Sequence, residues 1–244
     1  QRTRKKTNKA HGKHEGNTME QVYEEDLIDS STGTVYISKL KVASSAGGAI
    51  PENTLQLASV GIRKRWMVSV YSFGMYFDAK TAKPEIERWN TYDIDELSTN
   101  LSFYNALIGS KFDKAVKLVL ARTIKGSDLQ EAFEESLKPR IVHYVKEYSH
   151  GHNQESKRRM QSETTDALGL FRDQFDVGSL VKGTEITIRT TGHVLTTYIN
   201  GEPLRSVESR CLCAAFLDIY LGVNPISTSA KEMFAMKVSL LIIK

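Results

Sequence analysis

The sequence contains few cysteines and no long apolar run. Its two cysteines, Cys211 and Cys213, are one residue apart, which is too close for a comfortable disulfide, and no metal-site partner accompanies them. We therefore predict two reduced thiols in a reducing compartment. No apolar run approaches the roughly 20 residues of a membrane-spanning helix, so no transmembrane segment is expected.

Motifs for nucleotide or ester chemistry are also missing. The chain has no Gly-x-Gly-x-x-Gly, no phosphate-binding loop and no Gly-x-Ser-x-Gly elbow. Gly47-Gly48 lies in a polar segment that no helix follows. His143, His150 and His152 cluster loosely, but no acidic or Cys partner has ligand spacing. We predict a solvated loop around these histidines and expect no metal and no cofactor.

Acidic charge is scarce in the N-terminal segment. The net charge is +4, of which residues 1–16 carry +5 and the remainder −1. No large apolar side chain precedes Met19, so this segment cannot bury enough surface to order itself. We predict a basic, disordered tail over residues 1–25. The alternative is an electrostatic anchor to RNA, acidic lipid or a protein partner, although no aromatic residues interleave the charges to indicate specific nucleic-acid binding.

The first residue of the chain bears on its expected location. The sequence starts at Gln1 rather than methionine, which is compatible with a removed organelle-targeting segment or with a truncated sequence. We expect an organelle interior, either the plastid stroma or the mitochondrial matrix, and otherwise the cytoplasm.

The order of predicted strands and helices indicates the fold class. Residues 55–77 hold the strongest strand signal, because β-branched and aromatic side chains concentrate there. Further strands are predicted at 34–42, 116–124, 184–190 and 193–200. Helices are predicted after Gly126 and over 156–175, 205–221 and 229–241. This order indicates an α+β fold over residues 26–244, with a large antiparallel sheet and helices against one face.

The helix after Gly126 has the clearest apolar stripe. Every fourth residue from position 129 is apolar, namely Leu129, Phe133, Leu137, Ile141 and Val145. Ser127 and Gln130 match a capping box at its start. Pro139 predicts a kink or a restart within the helix. A second capping pair, Ser229 with Glu232, predicts the start of the last helix.

One segment places a fixed cation in an apolar β region. Arg63 precedes Tyr71, Phe73 and Met75, which share one strand face. An unpaired buried cation is costly, so Arg63 needs either an internal acid or a carboxylate ligand, which a guanidinium binds through two hydrogen bonds. On one straight strand Arg63 and Tyr71 would lie about 26 Å apart. They can share a site only if the chain turns or bulges between residues 64 and 67.

At this segment the sequence resembles the chalcone isomerase family. The matching blocks cover roughly residues 34–238 in family order, and they are Gly61-Ile62-Arg63, Val70-Tyr71-Ser72-Phe73-Gly74-Met75-Tyr76, the Gly126 turn, Ile199-Asn200-Gly201, Val207-Glu208-Ser209, Leu212-Cys213-Ala214-Ala215-Phe216, Asp218-Ile219-Tyr220-Leu221-Gly222 and Pro225-Ile226-Ser227. The resemblance implies an open-faced β-sandwich, in which a ligand cleft lies between a large sheet and its helices.

The resemblance also implies a choice between two branches. True isomerases close a chalcone ring by intramolecular addition, whereas other members look like fatty-acid-binding proteins. The family's guanidinium falls at Arg63, and the tyrosine expected of the fatty-acid-binding branch falls at Tyr71. Three polar positions of the isomerases fall at Leu129, Ser136 and Ile219. Leu129 and Ile219 cannot supply the hydrogen bonds that a developing enolate needs, so no isomerase activity is expected.

Three functions are therefore weighed. The first is non-catalytic binding of a long-chain fatty acid or similar carboxylate amphiphile, with Arg63 on the carboxylate, Tyr71 as a second donor, and Phe73 and Leu129 along the acyl chain. The second is an accessory structural subunit of a larger organelle assembly, docked through the tail and the long helices. The third is a residual isomerase or lyase.

Overall fold

A seven-stranded antiparallel sheet organises the chain. The computed structural model describes residues 25–242, so the tail predicted over residues 1–25 lies almost entirely outside the described residues. In spatial order the strands are β11 (Glu202–Glu208), β10 (Val194–Ile199), β9 (Glu185–Thr191), β6 (Lys114–Leu120), β5 (Val68–Phe77), β4 (Asn53–Arg65) and β3 (Lys39–Val42).

Two short ribbons accompany this sheet. Strand β1 (Leu27–Ile28) pairs with β2 (Val35–Tyr36), and β7 (Ile124–Lys125) pairs with β8 (Ser179–Leu180). The second ribbon lies at the start of the longest helix, because β7 runs directly into it.

The described residues also form seven α-helices, together with 3₁₀ turns at Glu87–Trp89 and Asp173–Phe175. The α-helices are α1 (Ala79–Ile86), α2 (Ile94–Thr99), α3 (Leu101–Gly109), α4 (Gly126–Tyr148), α5 (Gln154–Arg172), α6 (Arg210–Leu221) and α7 (Thr228–Ser239). Within residues 25–242, none of these helices has the length and apolar character needed to cross a membrane.

The main core lies between the sheet and the helices. Tyr71, Phe73, Met75 and Phe77 alternate along β5 and point into this core. The α4 stripe from Leu129 to Val145 is buried in the same core, as its four-residue spacing predicts, and α4 packs mainly against α5 and α6. On the other sheet face a smaller core surrounds Tyr76. The predicted α+β fold, with a large antiparallel sheet backed by helices, is confirmed.

Several predicted boundaries are wrong. Residues 205–208 belong to β11 rather than to a helix, because the Asn200-Gly201 turn sends the chain back along β10. Helix α6 begins only after Ser209, whose side chain accepts a hydrogen bond from the Leu212 amide. Helices α1 to α3 were not predicted from the sequence.

The helix caps and the proline also differ from expectation. Lys125 occupies the N-cap of α4 and makes no side-chain cap, so Ser127 and Gln130 form no capping box. Ser227, not Ser229, caps α7. Helix α4 continues through Pro139 without a restart. Cys211 and Cys213 are both free and buried, in agreement with the prediction of reduced thiols.

Gly126 is required where α4 begins. A Cβ atom there would overlap the carbonyl oxygens of Phe175 and Val177. The Gly126 amide also donates to the Gly178 carbonyl oxygen at 2.8 Å. The absence of a side chain at this position therefore lets the start of α4 pack directly against the segment before β8.

Replacing Gly126 with alanine should destabilise the fold. We expect the Gly126→Ala variant to lose about 1–3 kcal/mol of unfolding free energy in urea titrations, because the added methyl group meets fixed backbone. Gly169→Ala is the matched control, since its Cβ would meet nothing within 4 Å inside α5. That variant should gain about 0.5–1 kcal/mol through helix propensity. Equal stability of the two variants would contradict this packing account.

Candidate functional site

Arg63 and Tyr71 are cross-strand neighbours. Strand β4 ends at Arg65 and β5 starts at Val68, so a two-residue turn reverses the chain. The turn pairs Arg65 with Val68 and Lys64 with Ser69, and the register then shifts by one residue at Val70, so that Arg63 pairs with Tyr71. Directly paired residues of an antiparallel ladder lie on the same face, with Cβ atoms about 5 Å apart. The turn and the register shift together therefore bring Arg63 and Tyr71 to one place on the sheet.

Two tyrosine hydroxyl groups meet behind Arg63. The Tyr71 and Tyr220 hydroxyl oxygens lie 3.5 Å apart, and either group can donate. Both side chains are buried, at 8% and 1% exposure. The Phe73 ring contacts both, with its centroid 5.0 Å from that of Tyr220 and 6.5 Å from that of Tyr71. This group of three rings closes the core near the start of β5.

The electrostatic environment keeps both hydroxyl groups protonated. Burial raises the pKa of Tyr71, while its contact with Tyr220 and the positive charge of Arg63 oppose that shift. Burial likewise raises the pKa of Tyr220 well above its usual value, and Arg63 again opposes the shift. Two neutral donors therefore lie beside a fixed cation at neutral pH.

Arg63 itself is exposed. Among the carboxylates of residues 25–242, none forms an ion pair with its guanidinium. The internal acid that would have made Arg63 a purely structural residue is thus not found in the part of the chain described. Its five N–H donors remain available to an outside acceptor.

The two apolar residues predicted to line the ligand, Phe73 and Leu129, are both buried. Phe73 is 1% exposed and Leu129, on α4, is 4% exposed, and both belong to the main core. Two surface clefts, of about 380 and 280 Å³, lie along α4 and α5 and along α2 and α7. Neither cleft is lined by the four predicted ligand-binding residues. The space behind Tyr71 is filled with side chains.

Comparison with known proteins assigns the family. A family model described as chalcone isomerase-like matches residues 37–234. The chain belongs to the chalcone isomerase-like family. This confirms the resemblance noted in the sequence, and it accounts for the sheet and helices described above.

Two curated relatives show the range of this family. The chain is 28% identical over 186 residues to Fatty-acid-binding protein 1 of Arabidopsis thaliana, covering 73% of this chain and 62% of the relative. It is 28% identical over 219 residues to Chalcone isomerase-like protein 1 of Humulus lupulus, covering 85% of this chain and 88% of the relative. The match thus spans less than two thirds of the fatty-acid-binding protein's length.

A solved structure shares the architecture. The crystal structure of a fatty-acid-binding protein from Arabidopsis thaliana superimposes with a TM-score of 0.63 at 24% identity, covering 89% of this chain and 99% of that chain. This likeness establishes the curled antiparallel sheet backed by helices as the fold of the chalcone isomerase-like chain.

The three positions that are polar in the isomerases have different surroundings in this chain. Leu129 and Ile219 are each 4% exposed and place apolar side chains in the core. Ser136 is partly buried on α4, and its carbonyl oxygen accepts from Arg140 Nη1 at 2.8 Å. The polar groups nearest to Ile219 in sequence are those of Asp218 and Tyr220. The Asp218 carboxylate already accepts hydrogen bonds from Arg140 and Tyr144.

Sequence reasoning did not assign Tyr220 a role. The residue falls within the helix predicted over 205–221, but nothing local indicates that its hydroxyl group meets Tyr71, 149 residues away. Its four-residue spacing from Phe216 was the available signal, since the two rings stack edge to face at 5.5 Å. The ligand-binding assignment of Arg63, Tyr71, Phe73 and Leu129 stays a prediction.

A buried ionic cluster lies elsewhere in the sheet, around Arg189 on β9. Arg189 donates to Asp113 through Nε at 2.9 Å and to the Pro51 carbonyl oxygen at 2.8 Å. Asn53 and Thr191 also donate to Asp113. Every donor and acceptor found here is internal, so this cluster is structural.

Lys114 is buried next to that cluster. Its Nζ donates to the Ser110 carbonyl oxygen, the Ser110 hydroxyl group and the Phe112 carbonyl oxygen at 2.8–3.0 Å. Burial lowers the pKa of Lys114 to about 7, although Glu85 and Asp113 oppose the shift. The folded chain therefore holds fewer protons on this amine than the unfolded chain does between about pH 7 and the ordinary lysine pKa of about 10.4.

This difference predicts a pH-dependent contribution to stability. Unfolding takes up a proton in that window, so raising the pH favours the folded state. We expect the unfolding free energy of the unmodified chain to rise between pH 7 and 9 relative to that of Lys114→Met. Lys83→Met, at an exposed position of α1, should run parallel to the unmodified chain. Urea titrations at each pH measure the effect, and parallel curves for Lys114→Met would disprove it.

Proposed function

We propose that this chain binds a long-chain fatty acid or a similar carboxylate amphiphile without catalysing its conversion. The observation that carries the proposal is the Arg63 guanidinium, which has no acidic partner among residues 25–242 and lies in register with Tyr71 at the edge of the main core. Relatives named fatty-acid-binding proteins support this class of ligand.

The polar end of the ligand is recognised by Arg63 and Tyr71. A guanidinium offers two parallel N–H donors that match the two oxygens of a carboxylate. The Tyr71–Tyr220 oxygen distance of 3.5 Å is longer than the usual 2.7–2.8 Å of such bonds. A carboxylate oxygen therefore competes well for the Tyr71 proton.

The acyl chain runs into the apolar core beside Phe73 and Leu129. Each buried methylene contributes about 0.8 kcal/mol, so the chain supplies most of the affinity and Arg63 sets its orientation. Phe73 and Tyr220 fill the space behind Tyr71. Their side chains must move when the ligand enters, and binding should therefore favour long, flexible acyl chains over rigid ones.

Arg63 provides the main test. We expect Arg63→Ala to weaken fatty-acid binding at least ten-fold in calorimetry, because a hydrogen bond to a charged group contributes about 1.5–3 kcal/mol. Arg158→Ala, at an exposed cation on α5, should leave affinity unchanged. Binding of the corresponding methyl ester should be insensitive to Arg63→Ala, since the ester carries no negative charge. Equal fatty-acid affinity of both variants would count against the proposal.

Tyr71 provides a second test. Tyr71→Phe keeps the ring and removes the hydroxyl donor, so we expect a two- to ten-fold loss of fatty-acid affinity. Tyr92→Phe, at a residue 40% exposed in the segment before α2, is the control and should bind normally. Thermal unfolding of both variants shows whether the fold is retained. An unchanged affinity in Tyr71→Phe would remove this hydroxyl group from the site.

A direct assay distinguishes isomerase activity from fatty-acid binding without catalysis. Cyclisation of a chalcone needs polar groups where this chain has Leu129 and Ile219. We expect no turnover of a naringenin-type chalcone above the uncatalysed rate. Turnover that Arg63→Ala abolishes would replace the binding proposal with an enzymatic one.

A further inference from the structure

The turn between β4 and β5 exposes two large apolar side chains. Trp66 is 92% exposed and Met67 is 94% exposed, higher than the other large apolar side chains of residues 25–242. The next residue in the chain, Val68, is 49% exposed. Packing within the chain gains almost nothing from these side chains, and their exposure to water is unfavourable.

The turn is also strained at Trp66. Its φ angle is 59°, in the left-handed region, which is an outlier for a bulky side chain. Two-residue hairpin turns with positive φ at their first position usually have glycine there. Glycine would relieve the strain and remove the exposed ring. Fold stability therefore does not explain a tryptophan at this position, whereas a binding role does.

Cations surround this turn. Arg63, Lys64 and Arg65 precede it, all exposed, and none has an ion pair with a described acid. The turn lies at the sheet end where β4, β6 and β10 finish. Two loops share that end, because the Ala121 amide donates to Val70 and the Lys182 amide donates to Thr123.

These loops add further positive charge and further exposed apolar area. Arg122 and Lys182 are exposed, and Val181 is 61% exposed. Of the acids nearby, Glu185 is paired with Lys117 at 2.8 Å, and Glu202 follows the β10–β11 turn. We call the set Lys64, Arg65, Trp66, Met67, Val68, Arg122, Val181 and Lys182 the sheet-end surface. It combines protruding apolar side chains with a clear excess of positive charge.

We propose that the sheet-end surface docks on an anionic lipid bilayer, with Trp66 and Met67 inserted at the level of the headgroups. Tryptophan prefers this depth because its ring is apolar and its N–H remains hydrogen-bonded. Flanking Lys and Arg side chains bind anionic headgroups, and each adds to the affinity. Arg65 pairs with Val68 and Lys64 with Ser69, so the two strands are paired directly next to the turn that enters the interface.

Two features favour a bilayer over a protein partner. The apolar side chains protrude at the tip of a narrow hairpin, whereas protein interfaces are broad and roughly 800 Å² on each side. The cations lie around the tip, where they would meet anionic headgroups when the apolar side chains are inserted. The proposal goes beyond fatty-acid binding and does not depend on it, although docking would bring Arg63 to the membrane surface.

Vesicle binding by the full chain tests the proposal. We expect co-sedimentation with phosphatidylcholine vesicles that contain phosphatidylglycerol, and much weaker binding to phosphatidylcholine alone. The double variant Trp66→Ser/Met67→Ser should bind at least ten-fold more weakly. Lys64→Gln/Arg65→Gln should lose about five-fold per charge removed.

Matched controls separate the tip from the rest of the surface. Met233→Ser/Met236→Ser removes two methionines that are 39% and 41% exposed on α7. Lys80→Gln/Lys83→Gln removes two exposed charges on α1. Both controls should bind vesicles as the unmodified chain does. Full binding by Trp66→Ser/Met67→Ser would overturn the proposal and assign binding to the basic residues 1–16 or to other charges.

Tryptophan fluorescence locates the inserted residue. The chain has two tryptophans, so Trp89→Phe leaves Trp66 as the single reporter. We expect a blue shift of its emission on anionic vesicles, with quenching by brominated acyl chains. An unshifted spectrum at saturating lipid would overturn the proposal, even if a nucleic acid or acidic protein bound the same surface.

Fatty-acid affinity is measured separately in vesicle-free buffer. Loss of docking with intact fatty-acid binding would contradict only the membrane proposal. Intact docking with no fatty-acid binding would contradict only the proposed function.

Discussion

The pairing of β4 with β5 is the constraint on which the candidate site depends. A two-residue turn joins these strands, and a one-residue register shift at Val70 then brings Arg63 level with Tyr71, whose side chain lies on the helix-facing side. A longer loop would leave the cation free to move away from the core. The same short turn leaves Trp66 and Met67 with nothing to pack against. This one hairpin therefore produces both the candidate site and an exposed apolar tip.

Two arginines in this chain illustrate how surroundings decide a role. Arg189 is 2% exposed, and the chain itself supplies its acid, Asp113, together with carbonyl acceptors. Desolvating that pair without these bonds would be very costly, so the cluster is a structural requirement. Arg63 is solvated at the rim of the core and has no such acid among the described residues. Its hydrogen-bonding capacity remains available to a ligand.

The order of strands and helices could be predicted because each type of element has its own spacing of apolar residues along the sequence. The α4 stripe and the alternation of β5 have this character, and both are buried as expected. Residues 205–208 were assigned to a helix because their membership of β11 depends on pairing with β10 across a turn. Helices α1 to α3 are only six to nine residues long, too short for a stripe to repeat over several turns, and short helices are held mainly by what they pack against.

The candidate site shows the same division. Arg63, Tyr71 and Phe73 could be selected from the sequence because a permanent charge beside aromatic strand residues is chemically unusual, whatever the position of the strand in the sheet. Tyr220 could not, because its contact with Tyr71 joins residues far apart in the chain. The exposure of Trp66 could not be predicted either, since a tryptophan after a strand can lie in a core as well as at the tip of a hairpin.

By itself, then, the amino-acid sequence determined the family, the α+β class and the residue types available for binding, because these follow from local pattern and composition. Tertiary structure alone decided which cation is internally neutralised, which hydroxyl groups meet, and which apolar side chains face water. The physical reason is that burial and pairing are properties of distances between remote residues, and those distances exist only after the chain has folded.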